Sequence, residues 1–346
     1  MHLIVGGGIA GLSLAFSMYE RKIPFKLIDA KKNYSSMVAA GLINPIVFRR
    51  TTKSWRVDDF TPYLESFYKR IETLVGANFF HPISIRRIFA HEQERNEWEK
   101  KQLQSEYNSY LNQSTPEDNA FSNPKNNFGT GTIERAYYVS TETFMEEAYR
   151  FFESKQCVDY EEVNYSDFNT TTTSYKNDIY EKIFFSQGYT NSENPWFGSL
   201  PIQCTKGETL TIHSSELPED VSLNLKCFIL PIGNQQFKVG ATYDWNSTDL
   251  SITEKGKAQI EAHLTTLTND PYTIVEQKAG IRPTVLDRRP LLGKHAEFPN
   301  LILFNGLGTK GYMMAPLLAN ELLDHVFNHA PLDPEVNIQR FEKENK

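Results

Sequence analysis

HLIVGGGIAGLSLAF, residues 2–16, decides the fold. An apolar run enters a G-x-G-x-x-G turn, and an apolar stretch of helical character leaves it. Residues 2–5 read as a buried parallel strand and residues 11–21 as a helix. Gly6 and Gly8 permit a tight strand-to-helix turn and close approach of backbone to a pyrophosphate, and Gly11 lets the helix pack closely on the sheet. The helix N-terminus then presents unpaired N–H groups to phosphates. FKLIDA, residues 25–30, reads as the next strand and carries Asp29, placed to accept ribose hydroxyls. A lone G-x-G-x-x-G is a weak signal. With strand, helix and acid in place it specifies a complete βαβ dinucleotide-binding unit.

The spacing returns near the other end, in LILFNGLGTKGYMMAP, residues 301–316, through Gly306, Gly308 and Gly311. After Gly311 only one helix and a polar tail remain, with no second strand ending on an acid. This echo therefore supplies a helix N-terminus, a positive dipole end, rather than a second dinucleotide site. The electron-rich pyrimidine edge of an isoalloxazine ring suits such a dipole.

The 346 residues, 40% hydrophobic, suffice for a large core and two lobes. A net charge of −7 counts against nucleic acid as a general partner, although Arg49, Arg50, Lys53 and Arg56 form a local basic spot. The first strand starts at His2, leaving no room for a signal peptide, and no long apolar run suggests a membrane span. Cys157, Cys204 and Cys227 are too few and too scattered for a disulfide framework or a zinc knuckle. These features point to a cytoplasmic protein whose thiols are buried packing residues.

Further along, the pattern gives helices over 60–75, 96–111, 141–155, 253–268 and 311–327. Strands are expected at 83–90, 181–188, 207–215, 226–232, 236–245 and 301–305. Residues 112–131 read as a loop, and the Thr run at 170–173 as a hairpin tip. Elements of βα type thus lie at both ends with antiparallel-type β material between. The expected fold class is α/β plus α+β, a nucleotide lobe assembled from discontinuous pieces with a mixed lobe inserted.

GGGIAG with Asp29, SSMVAAGLINP, FFSQG, KGETL, GIRPTVLDRRPLLG and NGLGTKGYMMAP together resemble the D-amino-acid-oxidase-like (DAO) flavoprotein family. That family includes glycine and sarcosine oxidases and the oxidase half of the tRNA wobble-uridine modifying protein. The similarity covers most of the chain and is thinnest across 60–180 and 245–275; GLGTKGYMMAPLLANELL is especially similar to the tRNA-modifying half. The resemblance implies a Rossmann-like, glutathione-reductase-type FAD lobe over 1–60, 140–205 and 275–346. An antiparallel-sheet substrate lobe would then span 61–139 and 206–274.

It also implies site residues. Gly6, Gly8, Ile9, Ala10 and Gly11 would line the FAD pyrophosphate, with Asp29 and Ala30 at the adenosine ribose. Ser36, Ala40, Gly41 and Leu42 would run past pyrophosphate and flavin, Val163 would meet the adenine, and Gly188 would approach FAD at a strand end. Gly306, Gly308, Thr309, Lys310, Gly311 and Tyr312 would cap the pyrimidine edge, with Lys310 reaching the C2 carbonyl oxygen. Arg282, in GIRP, falls where amino-acid-oxidising members pair with a substrate carboxylate, within reach of the cofactor. Three departures stand out: FFSQG replaces a smaller ending, Leu307 replaces a histidine, and no cysteine lies near the C-terminal motif. Non-covalent FAD is therefore expected.

The family's reaction takes a hydride from a carbon next to an amine, which explains the absence of any HExxH or G-x-S-x-G pattern and of an expected metal. A planar guanidinium at Arg282 could clamp a carboxylate through two oxygens, or could hold the turn before Pro283 in an ion pair. Tyr243 and Trp245 are candidates for a substrate wall, and Arg49 and Lys53 for the entrance. Arg288 and Arg289 are expected to pair with acids such as Asp287. Three functions stay open: oxidation of a small carboxylated amine or amino acid with O2 or a quinone as acceptor, oxidation of a carboxymethylaminomethyl group held in tRNA, or flavin binding without catalysis. A closed pocket favours the first, a basic groove through Arg49, Arg50 and Lys53 the second, and no pocket the third.

Overall fold

A computed structural model describes residues 1–32, 35–115 and 126–345. The apolar N-terminal run forms the His2–Val5 strand, all of it buried, inside a six-stranded sheet. The sheet order is Leu291–Lys294, Leu301–Asn305, Ile183–Phe185, His2–Val5, Phe25–Ile28, Val158–Asp159. Five strands are parallel, and Leu291–Lys294 closes one edge antiparallel. Near-continuous apolar strands are what a parallel sheet needs when helices cover it.

The Ile9–Glu20 helix makes the first crossover and packs on the Gly311–Asn328 helix. Pro316 sits inside the latter helix. It has no N–H to give to the carbonyl four residues back. That carbonyl, Tyr312 O, instead accepts the Tyr68 hydroxyl at 2.7 Å.

The second sheet has eight strands, ordered Thr273–Val285, Ile202–His213, Gln236–Gly240, Phe228–Gly233, Val221–Asn224, Phe80–Ile88, Thr130–Val139, Leu42–Ile43. All its pairings are antiparallel except Val221–Asn224 against Phe80–Ile88. The fold is therefore the expected combination of a Rossmann-like lobe and a mixed, mainly antiparallel one.

Several elements differ from expectation. Arg282 and Pro283 lie within the long Thr273–Val285 strand, not in a turn. That strand is an edge, where the missing proline N–H costs no ladder bond. The strand expected over 236–245 ends at Gly240, so Tyr243 and Trp245 are on the loop that follows. The helix expected over 96–111 ends at Lys101, before a single turn at Ser105–Tyr107, and it buries Trp98. The loop expected over 112–131 already contains the start of the Thr130–Val139 strand, and its residues 116–125 lie outside the described residues. The Thr run does turn between two short paired strands, Phe168–Asn169 and Ser174–Tyr175. Of the thiols only Cys227 is buried; Cys157 and Cys204 are half-buried.

Candidate functional site

Residues of both sheets line one cavity of ≈ 1230 Å3. A pocket for a single drug-sized ligand runs to about 300–1,000 Å3, so this one has room for a large cofactor and a second molecule.

At one end lies the glycine turn. Gly6 has φ +101, and a Cβ there would stand 2.5 Å from Ser186 O, so this turn accepts no side chain. At Gly11 a Cβ would stand 1.9 Å from Gly6 O, which is the close helix–sheet approach expected of it. Gly8 faces space, with Ser36 Oγ as its nearest neighbour at 3.2 Å. The same Ser36 hydroxyl accepts the Ile9 N–H at 3.0 Å, and the helix has no acid in its first turn. An unopposed helix N-terminus beside glycines is a seat for phosphate.

Asp29 also lines this end, where it accepts the Tyr149 hydroxyl. That hydroxyl lies 2.8 Å from Gly7 O as well, so a helix of the chain's middle holds the acid in place. Val163, Gly188, Ala30, Ala40, Gly41 and Leu42 complete the path toward the second sheet. These residues fit an extended dinucleotide. Asp29→Ala is expected to weaken FAD binding ten- to a hundredfold, the loss of a charge-assisted bond of about 1.5–3 kcal/mol. Titrating apoprotein with FAD measures it, and parental affinity would make the acid a mere strand-end cap.

The C-terminal echo frames the middle of the cavity. Leu307, Gly308, Thr309, Lys310, Gly311 and Tyr312 line it, whereas Gly306 and Gly11 do not. Lys310 is not a solvated helix cap: its Nζ donates to Ser54 Oγ at 2.6 Å and to Asn44 O at 3.1 Å. Among the described residues no carboxylate compensates this ammonium, and burial lowers its pKa from 10.5 to about 8. The penalty on the folded chain is thus fully present below about pH 8 and is relieved as pH rises toward 10.5. The Tm of apoprotein, relative to a Lys310→Met variant, is expected to climb across that window. A gap that stays constant with pH would show the ammonium to be hydrated. Tyr312, also expected at the cofactor, gives its hydroxyl to Ser36 O at 2.8 Å and so ties the C-terminal helix to the Ser36 loop.

Arg282 occupies the other end. Register places it opposite Thr205, with Gly207 opposite Gly280 two residues along, on the same face. Its guanidinium takes the space that a side chain on Gly207 would need: a Cβ there would lie 2.1–2.4 Å from Nη2, Nη1 and Cζ. The Tyr243 ring lies against it with its centroid 4.5 Å from Cζ. One N–H goes to Thr242 O at 3.2 Å, and among the described residues no carboxylate pairs with it. The ion pair weighed from sequence is therefore absent there, and burial lowers the pKa. The Tyr243 loop is fastened by reciprocal backbone bonds between Asp244 and Lys206, at 2.8 and 2.9 Å. Trp245, 48% exposed, does not line the cavity.

Of the entrance candidates only Arg49 lines the cavity; Lys53 pairs with Asp58, and Arg50 lies outside. Arg289 pairs with Glu335 at 2.8 Å and Asp287 with Arg340 at 2.9 Å, while no acid pairs with Arg288 among the described residues. Arg87, Lys226 and Cys227 line the same end, and sequence reading gave none of them a role there. Gly207, Tyr149, Ser54 and Asn44 were likewise without a role, since nothing in their local sequence marks the partners they meet. Among the described residues no group of acids, histidines and cysteines could hold a metal, and no helix is long and apolar enough to cross a membrane.

A profile of the family described as FAD dependent oxidoreductase, DAO, matches residues 2–325. Glycine oxidase of Bacillus subtilis (strain 168) is 28% identical over 160 residues, 43% of this chain and 39% of that protein, so the match spans well under half of the curated relative. Two solved structures share the fold. Iminodiacetate oxidase from Chelativorans sp. BNC1 superposes with a TM-score of 0.82 at 15% identity, over 97% of this chain and 98% of the other. Glycine oxidase from Geobacillus kaustophilus superposes with a TM-score of 0.80 at 16% identity, over 96% and 95%.

Proposed function

The chain belongs to the FAD-dependent oxidoreductase (DAO) family, and from that premise we propose that it oxidises the C–N bond of a small carboxylated amine or amino acid. The observation that carries this reading is Arg282, desolvated, facing the cavity and without a carboxylate partner among the described residues. A buried cation of this kind is completed by an anion from outside the chain. Its planar fork holds a carboxylate by two bonds and so fixes the carbon that bears the amine. FAD, when bound, supplies the hydride acceptor.

The protein's own contribution is placement. Gly207 and Tyr243 fix the guanidinium, Leu307 and Phe228 add apolar wall, and Lys310 contributes positive charge at the N-terminus of the last helix. The Cys227 thiol is pushed up to about 12 by burial, so it stays protonated and is no nucleophile toward a flavin, which supports non-covalent binding. Names of similar proteins, glycine oxidase and iminodiacetate oxidase, agree with an amine bearing a carboxylate. The electron acceptor in this reading is O2 or a quinone.

The tRNA reading draws on the C-terminal run and on the fact that a carboxymethylated amine would also suit Arg282. Only Arg49 of the three cations that would form an RNA groove lines the cavity, so the small amine is preferred. The test is anaerobic bleaching of the flavin band by a panel of amines. N-alkyl glycines or amino acids are expected to bleach it and amines without a carboxylate are not. Purified protein holding NAD(P) and no flavin, or reduction that ignores the carboxylate, would overturn the reading.

A further inference from the structure

We propose that the rim of the cavity holds a second anion subsite, formed by Arg49 and Lys226, and that the substrate amine therefore carries two acidic groups. One would meet Arg282 and the other the rim. This rests on the carboxylated-amine reading and narrows it to diacids: an amine with two carboxylates, or with a carboxylate and a phosphate or phosphonate.

Charge along the cavity is polarised. Its lining acids are Asp29, Glu161, Glu162 and Glu193. Asp29, Glu161 and Glu162 closely follow strands of the parallel sheet, at the dinucleotide end, and Glu193 ends the Gly188–Glu193 turn that packs on the Ile202–His213 and Thr273–Val285 strands. The remaining wall carries Arg49, Arg87, Lys226, Arg282 and Lys310 and no acid among the described residues. Arg87 differs from the others because its charge is already matched. It is 8% exposed, and its Nε donates to Glu94 at 2.8 Å.

Arg87 acts as a pin between two turns. Its Nη1 donates to Asn224 Oδ1 at 2.7 Å and to Leu225 O at 2.6 Å, at the turn that carries Lys226. Its Cζ lies 4.6 Å from the centroid of Phe48, the residue before Arg49. Lys101 fastens that second turn further, donating to Arg50 O and to Thr51 O. The two turns are thus locked side by side by buried or shared bonds, although they are far apart in sequence.

Arg49 and Lys226 themselves are exposed at the rim, and neither has a hydrogen bond or ion pair among the described residues. Lys53, close to Arg49 in sequence, shows the contrast: it is matched by Asp58 and lies off the cavity. Two unmatched cations at the mouth, together with Arg282 inside, favour a ligand with separated negative charges, and they draw it inward. A monocarboxylate would match Arg282 and leave the rim unused.

The test uses holoenzyme and reads ligand binding from the perturbation of the flavin spectrum at low salt. Acetate, malonate and succinate are the probes. At least one dicarboxylate is expected to bind about fivefold to tenfold tighter than acetate, the scale of two exposed ion pairs. Salt should reduce that advantage, and an Arg49→Gln/Lys226→Gln variant should lose it. Equal binding of all three acids overturns the subsite, as does an advantage that survives in the double variant. Tighter binding of a short RNA, with no dicarboxylate advantage, overturns it in favour of a nucleic-acid rim. Turnover separates the two readings: iminodiacetate is then compared with sarcosine by kcat/KM. Dicarboxylate selectivity with no amine oxidised would leave the rim subsite standing and remove the amine chemistry. Oxidation of sarcosine and iminodiacetate with equal kcat/KM would do the reverse.

Discussion

Arg282→Met is expected to lower kcat/KM for any active carboxylated amine by about thirtyfold to several thousandfold, the 2–5 kcal/mol lost when one partner of a buried charged pair is removed. FAD content should remain normal, because the glycine turn and Asp29 lie on the other sheet. Methionine keeps the length of the stem and some packing against Tyr243, which isolates the loss of charge. Arg282→Lys should fall between parent and Met, since it keeps the charge and loses the bidentate fork. Gly207→Ala gives an independent check. Its new Cβ would lie 2.1 Å from Nη2, so the guanidinium must leave its seat while every charge remains. Steady-state kinetics on substrates with and without a carboxylate measure all three. If Arg282→Met reduces its flavin with the best amine as fast as the parent, the clamp is wrong. If the variant fails to fold, Gly207→Ala still decides the question.

Gly11→Ala should abolish FAD retention and destabilise the nucleotide lobe itself. The added Cβ would stand 1.9 Å from Gly6 O and 3.0 Å from Gly6 C. Both atoms are backbone, so relief requires the first helix to move off its strand. Overpacking in a well-packed core typically costs about 1–3 kcal/mol, and a backbone clash belongs at the upper end. Gly8→Ala is the informative partner. Its Cβ would meet only Ser36 Oγ, at 3.2 Å, and would project into the cavity. It should therefore keep the thermal stability of the apoprotein and lose affinity for FAD. Thermal unfolding with and without FAD distinguishes the two. A Gly11→Ala protein with parental Tm and parental FAD affinity would refute the packing argument.

The elements that sequence alone placed well are those whose geometry is set by their neighbours in the chain. A strand, Gly6 and Gly8, a helix and then Asp29 form one short-range unit, so its geometry follows from spacing. The same holds for the C-terminal strand, turn and helix around Gly308 and Lys310. The Thr130–Val139 strand escaped for a local reason of another kind. Arg135 adopts φ 52 where the register with Phe80–Ile88 shifts, so the alternation of buried and exposed residues breaks inside the strand. The substrate end was decided only by tertiary contacts. Gly207 makes room for Arg282 because two long strands pair in one register. Tyr149 meets Asp29, and Lys310 meets Ser54, across 120 and 256 positions of sequence. Arg49 reaches the cavity while Lys53 turns to Asp58, although only a short hairpin turn separates them. Composition and periodicity carry no information about which distant backbone passes a given side chain, and that proximity is what turns a charged residue into either an ion pair or a binding group.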